Sequence, residues 1–212
     1  MKFSELIRLL QKMGFGPVRG LFFILLKFLQ TGKLGNLLCL GRSIRFVKPS
    51  NINFGNRVVL GDFGYFDADA SRPVEIGNRV TIREFFWIQC RAGFQCRGEG
   101  LIIGDNVYIG PYAVIGCGGK VVIGNAVQVG ARLSISAENH VADEKGSYVS
   151  GKVSRRGVVI EDCVWIGNDV TILDGVKIVS NVVIGAKSLV TKSIVHPGVY
   201  VGSPVRMIKA PR

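Results

Sequence analysis

From residue 52 onward an aliphatic side chain returns at every sixth position, and few folds tolerate that period. Ile103, Ile109 and Ile115 form one run, and Ile123, Val129 and Ile135 form another. Ile160, Ile166, Ile172, Ile178, Ile184 and Val190 keep the spacing without a break. Weaker copies start at Phe54, Leu60 and Phe66, and at Ile76, Ile82 and Ile88. A helix of 3.6 residues per turn would smear such residues around its surface. A strand, whose side chains alternate, keeps every sixth residue on one face. The position four after each aliphatic residue is small or β-branched, as in Ile103-Gly104-Asp105-Asn106-Val107. Short strands of this kind cannot bury their inner faces alone, so turns of about 18 residues must stack. The pattern predicts an all-β solenoid of six turns, beginning near 54, 76, 103, 123, 160 and 178. Glycine, 28 of the 212 residues, often follows the aliphatic position, where it is read as freeing the backbone at the corners.

Breaks in the period mark insertions near 70, 94–102 and 121, and a long one at 141–159. The last is too long for a corner and too short for a domain, so it is a candidate functional loop. Before the repeat, residues 1–50 read as a basic, helical segment, with helices over 3–13 and 18–30 broken at Gly14-Phe15-Gly16-Pro17. The organisation expected is therefore this segment, a solenoid over 51–206, and a short tail over 207–212. Residues 1–50 carry a net charge of +8 and residues 175–212 a net of +6, out of +12 for the whole chain. The middle is close to neutral, so the charge sits at two ends, where it attracts phosphates or an anionic surface. The apolar run Leu21–Leu26 is interrupted by Lys27 and is too short to span a bilayer, but it suits an interfacial helix or a cap on the solenoid. No DNA- or RNA-binding motif accompanies the basic ends, so nucleic acid is not an expected partner. Five cysteines without a CxxC pair favour a reducing compartment over a disulfide framework. Cys117 and Cys163 read as packing residues.

The hexapeptide run resembles the left-handed parallel β-helix acyltransferases. The segments Val164-Trp165-Ile166-Gly167, Ile184-Gly185-Ala186-Lys187-Ser188-Leu189-Val190-Thr191-Lys192 and Gly202-Ser203-Pro204-Val205-Arg206-Met207-Ile208-Lys209 resemble the ending of galactoside and maltose acetyltransferases and polysaccharide O-acetyltransferases. The resemblance implies a left-handed parallel β-helix with a short α-helical N-terminal segment. It implies acetyl-CoA as co-substrate, no metal, and a homotrimer with active sites between subunits. A carbonic anhydrase of similar fold would need three histidine ligands, and the chain has only two histidines, His140 and His196.

By the same resemblance His140, at the mouth of the long loop, is the general base that deprotonates the acceptor for direct attack on the thioester. A neutral imidazole suits that role. Glu138, Asp143 and Glu144 are the nearby carboxylates that would orient it. Glu138 and Asn139 are also candidate acceptor contacts. Trp165, Asn168, Ala186, Thr191, Lys192, Arg206 and Lys209 match the positions that hold the cofactor, the three cations serving its phosphates, and the small residues Gly167 and Gly185 leave coil edges open to its pantetheine arm. His196, before Pro197, reads as structural.

The acceptor side departs from the sugar-binding relatives, whose Asn and Asp positions fall near Gly110 and Gly118. The cluster Phe85-Phe86-Trp87 with Arg83, Arg91 and Arg97 is read as a sugar-stacking surface, a phosphate site or a trimer contact. The expectation is an O-acetyltransferase acting on a sugar of a bacterial surface polysaccharide or lipopolysaccharide precursor. N-acetylation of a nucleotide-linked amino sugar and O-acetylation of an antibiotic are the alternatives. The expected location is cytoplasmic, peripheral to an anionic membrane face.

Overall fold

A computed structural model describes residues 18–22, 25, 37–91, 96–148 and 152–210. The chain visits three sheets in turn. Leu38–Leu40 lies in the first sheet, Arg45–Val47 in the second and Ile52–Phe54 in the third, and Val58–Leu60 returns to the first. There it pairs parallel with the starting strand, Leu38 beside Val58 and Leu40 beside Leu60. The same cycle repeats up to Gly198–Val201.

The six-residue period is the physical basis of this cycle. Inward residues on neighbouring turns pair directly, as Ile109 with Val129, Ile115 with Ile135, and Ile123 with Ile160. All six of these side chains are buried, within one core cluster that runs from Leu38 to Tyr200. Burial of that area from water is the main stabilising term, because each turn contacts only its neighbours.

The parallel stack begins earlier than residue 51. Leu38–Leu40 and Arg45–Val47 are strands of its first turn, inside the segment expected to be helical. Residues 18–22 and 25 are helical, within the expected 18–30 helix. The expected 3–13 helix lies outside the described residues. Among the described residues no helix is long and apolar enough to cross a membrane. At the other end the expected 206/207 boundary cuts through a strand, Arg206–Lys209, which runs antiparallel to Gly198–Val201.

The corner glycines have a different role from the one expected. The left-handed backbone lies two positions later, on non-glycine residues such as Asn106, Tyr112, Ala126 and Arg132, with φ between 55° and 60°. The glycine itself is where adjacent turns approach most closely. A Cβ on Gly110 would stand 2.5 Å from the carbonyl carbon of Gly130 and 2.8 Å from the amide nitrogen of Ala131. Cys163 also departs from expectation: it occupies such a left-handed corner and is exposed, whereas Cys117 is buried.

Polar side chains tie one corner to the next. The Asn56 amide donates to Asn78 Oδ1 (2.9 Å), Asn78 to Asp105 Oδ1 (2.7 Å), Asp105 to Asn125 Oδ1 (2.8 Å) and Asn125 to Asp162 Oδ1 (2.6 Å). The Asn78 amide holds the Asp105 carboxyl below its ordinary value. A carboxylate depressed on folding stabilises the protein above its unfolded pKa and loses that effect as pH falls through the folded one. The urea midpoint should therefore drop below about pH 4. Asp105→Asn keeps the acceptor oxygen and removes the titration, so its midpoint should fall less over the same interval. An identical pH dependence in the variant would exclude this contribution.

Candidate active site

His140 sits on a hairpin that leaves the stack after the second sheet. Asn139–His140 pairs antiparallel with Val153–Ser154, Asn139 beside Ser154 and His140 beside Val153. The excursion thus begins before residue 141, and His140 belongs to its first arm. Both Asn139 and His140 are exposed.

The base of the hairpin is fixed by charge. Arg155 Nε approaches Glu138 Oε2 at 3.2 Å, and Arg155 Nη1 donates to the Arg97 carbonyl at 3.0 Å. Both partners are mostly buried, with side-chain exposures of 20% and 24%. Gly118 makes room for this pair, because a Cβ there would overlap the Glu138 carboxylate. The hairpin tip is organised by Asp143, whose Oδ1 accepts from the amides of Lys145 and Ser147, each at 2.9 Å. Two of the three carboxylates considered as partners for His140 are therefore engaged elsewhere. Among the described residues none hydrogen-bonds the His140 ring.

The expected cofactor residues fall on more than one edge of the stack. Trp165 is 58% exposed on the first sheet, between Gln128 and Val183. Gly167 with Asn168, and Gly185 with Ala186, follow at the corner toward the second sheet on successive turns, where Lys187 N donates to Asn168 O at 2.8 Å. Asn168 Oδ1 is already bonded to the Ala131 amide at 2.8 Å, so only its amide group is left to face a ligand. Arg206 and Lys209 are exposed on the antiparallel edge strand of the first sheet, and among the described residues the Arg206 guanidinium donates to the adjacent Val205 carbonyl alone. Thr191 and Lys192 are exposed after the second sheet, on the side from which the His140 hairpin also departs. One protomer thus places His140 and Trp165 on different edges. The exposed cations at Lys192, Arg206 and Lys209, which pair with no carboxylate among the described residues, fit the phosphates of a coenzyme A thioester. The His196 carbonyl accepts the hydroxyl of buried Tyr200 at 2.9 Å.

Residues 157–192 match the bacterial transferase hexapeptide (six repeats) family model. The chain carries the bacterial transferase hexapeptide repeat. Over 46 residues it is 48% identical to a chloramphenicol acetyltransferase of Morganella morganii, covering 22% of each chain. Over 62 residues it is 47% identical to a galactoside O-acetyltransferase of Lactococcus lactis, covering 26% of this chain and 30% of the relative. The chain thus spans less than a third of the length of these curated relatives. AntD, an N-acyltransferase from Bacillus cereus solved with dTDP and 3-hydroxybutyryl-CoA, covers 82% of this chain and 80% of its own at 21% identity, with a TM-score of 0.55. At that identity the likeness is one of fold.

Sequence reasoning missed Arg155 and the space at Gly118. Arg155 lies 17 residues from Glu138, across the long insertion, and no periodicity connects them. The absent side chain at Gly118 was read only as a departure from the relatives. The signal available was the glycine itself, standing one turn before the hairpin.

Proposed function

We propose that this chain is a left-handed parallel β-helix acetyltransferase that moves the acetyl group of acetyl-CoA to a hydroxyl of a saccharide. The observation that carries the reading is the exposed His140, held on a hairpin whose root is braced by Glu138 and Arg155. His140 takes the proton of the acceptor hydroxyl as its oxygen attacks the thioester carbonyl. Collapse of the tetrahedral intermediate breaks the carbon–sulfur bond, and the departing thiolate receives the proton from the imidazolium. A side-by-side copy completes the site, because His140 and the Trp165 group stand on different edges of one protomer. That arrangement supports a homotrimer, the closed cyclic assembly that the resemblance implies. Acceptors in a bacterial surface polysaccharide or lipopolysaccharide precursor fit the saccharide class.

Arg206→Ala and Lys209→Ala should raise KM for acetyl-CoA more than they lower kcat, since a phosphate is gripped equally in ground and transition states. Dephospho-CoA thioesters should be poor substrates of the wild type and lose little further in the variant whose cation reads the 3′-phosphate. Equal losses with both thioesters would remove that assignment.

The protein works at an anionic membrane face in this reading. Val18, Leu21, Phe22, Leu25 and Leu37 are each more than half exposed, in a segment with a strong positive excess. Vesicles with anionic lipid should carry the protein upward in flotation at low salt, and neutral vesicles should carry less. Recovery independent of lipid charge would end the electrostatic part of the reading.

A further inference from the structure

The outer face of the second sheet carries a stack of rings that stops short of the His140 hairpin. Tyr65 and Trp87 are direct neighbours in register, with ring centroids 4.2 Å apart and planes at 26°. The Arg45 guanidinium lies over the Tyr65 ring at 5.9 Å. Trp87 is the end of this stack: its next neighbour in register is Val114, whose side chain is far shorter. The indole therefore overhangs the following turn with one face covered by Tyr65 and, among the described residues, no ring on the other. Its orientation is fixed, because Nε1 donates to Gln89 Oε1 at 2.9 Å and the Gln89 amide donates to the Arg91 carbonyl at 2.7 Å. Arg91 is in turn anchored 3.4 Å from the fully buried Asp67.

Beside Val114, two residues along the same outward face, the surface is low. Gly116 pairs with Gln89 on one side and Ser136 on the other, and a Cβ there would meet only the Ile135 carbonyl, at 3.4 Å. Ser136 Oγ donates to the Glu138 carbonyl, so the floor runs into the root of the hairpin that bears His140. Neighbouring strands are about 4.8 Å apart, which puts Trp87 about 10 Å from the turn that launches the hairpin.

We propose that Trp87 is a saccharide subsite that holds a non-reacting pyranose while the next unit of the same glycan is presented to His140. This rests on the transferase reading above. A pyranose offers a flat face of C–H groups, weakly positive, which complements the negative face of an indole. Val114 under the indole offers a short apolar seat, and the glycine and serine beside it leave room for the ring with a hydroxyl within reach. The distance is too long for one pyranose to touch both Trp87 and the hairpin, and suits two joined ones. Trp87 is thus a specificity-determining residue that selects an oligosaccharide over a monosaccharide.

The test uses the full-length protein and malto- and chito-oligosaccharides of one to four units, titrated by calorimetry and by quenching of Trp87 fluorescence in a Trp165→Phe background. Affinity should rise about tenfold or more between the single sugar and the longer members of the better series. Trp87→Ala should abolish that gain without changing acetyl-CoA binding. Gly116→Val, which fills the floor at a position with space for a Cβ, should do the same and guards against a misfolded Trp87 variant. Affinity independent of length in both series, absence of binding, or a length dependence unchanged in both variants would overturn the proposal. So would a fall of Trp87→Ala to monomer mass in sedimentation with glycan binding intact, which would make this face a self-contact. Length-dependent binding without acetyl transfer to any acceptor would instead sink the transferase reading and leave the subsite standing.

Discussion

Replacing His140 with alanine is expected to lower kcat by about 10²–10⁴ while acetyl-CoA binding, read by calorimetry, stays as in the wild type. The separation follows from geometry. His140 is exposed on one arm of the hairpin, and its backbone pairing with Val153 does not depend on the ring. The brace of the hairpin is Glu138 with Arg155, which the substitution leaves alone. Trp165, Arg206 and Lys209 lie elsewhere on the stack, so the thioester should still bind. The variant should therefore fold, bind and fail to turn over. A folded variant with near wild-type kcat would take the base assignment away from His140. Loss of both binding and turnover would assign His140 to holding the site together.

The second large effect is on stability. Gly110→Ala should cost about 3 kcal/mol or prevent folding, measured as the fall in the urea midpoint at unchanged slope. The added methyl would press on Gly130 and Ala131 of the next turn, and both turns are locked there by backbone bonds, Gly110 N to Val129 O and Gly130 N to Ile166 O. The three atoms nearest the new Cβ are all backbone, with no flexible side chain to swing away. Gly116→Ala is the contrasting case. Its Cβ would make only an ordinary contact, and its stability should stay within about 0.5 kcal/mol of the wild type. Similar losses for both would show that glycine matters here through chain entropy and not through the approach of neighbouring turns.

The repeat was legible because burial of Ile103, Ile109 and Ile115 demands a spacing that no helix provides. The first turn was not. Its inward residues Leu38 and Leu40 merge with an apolar stretch upstream, and Phe46 is only half-buried, so the period has no clean edge there. The glycine after each aliphatic residue was visible, but its reason lies in the next turn, about 20 residues away, where Gly130 stands against Gly110. Cys163 follows a similar logic: the small position expected to face inward is one later, at buried Val164, and the cysteine is the left-handed corner. At the site, His140 stood out as one of two histidines, whereas its supports are pairs formed across insertions. Glu138 meets Arg155 across the root of the hairpin, and Asp67 meets Arg91, behind Trp87, through the stacking of turns; a linear reading displays neither.

A parallel stack has two faces on which another copy's strands could continue the ladder, and such a face is a template for fibres. Here the described residues occupy both. At one end Arg19 Nε donates to the carbonyls of Leu40 (2.9 Å) and Gly41 (3.1 Å). At the other, Arg206–Lys209 reverses direction along the last strand of the first sheet, while Gly202 and Val205 bond to both backbone groups of Leu189 in the second. Polymerisation along the axis is thereby opposed at each end. In the homotrimer proposed above copies would meet flank to flank, where rotation closes an assembly after a few subunits and growth stops.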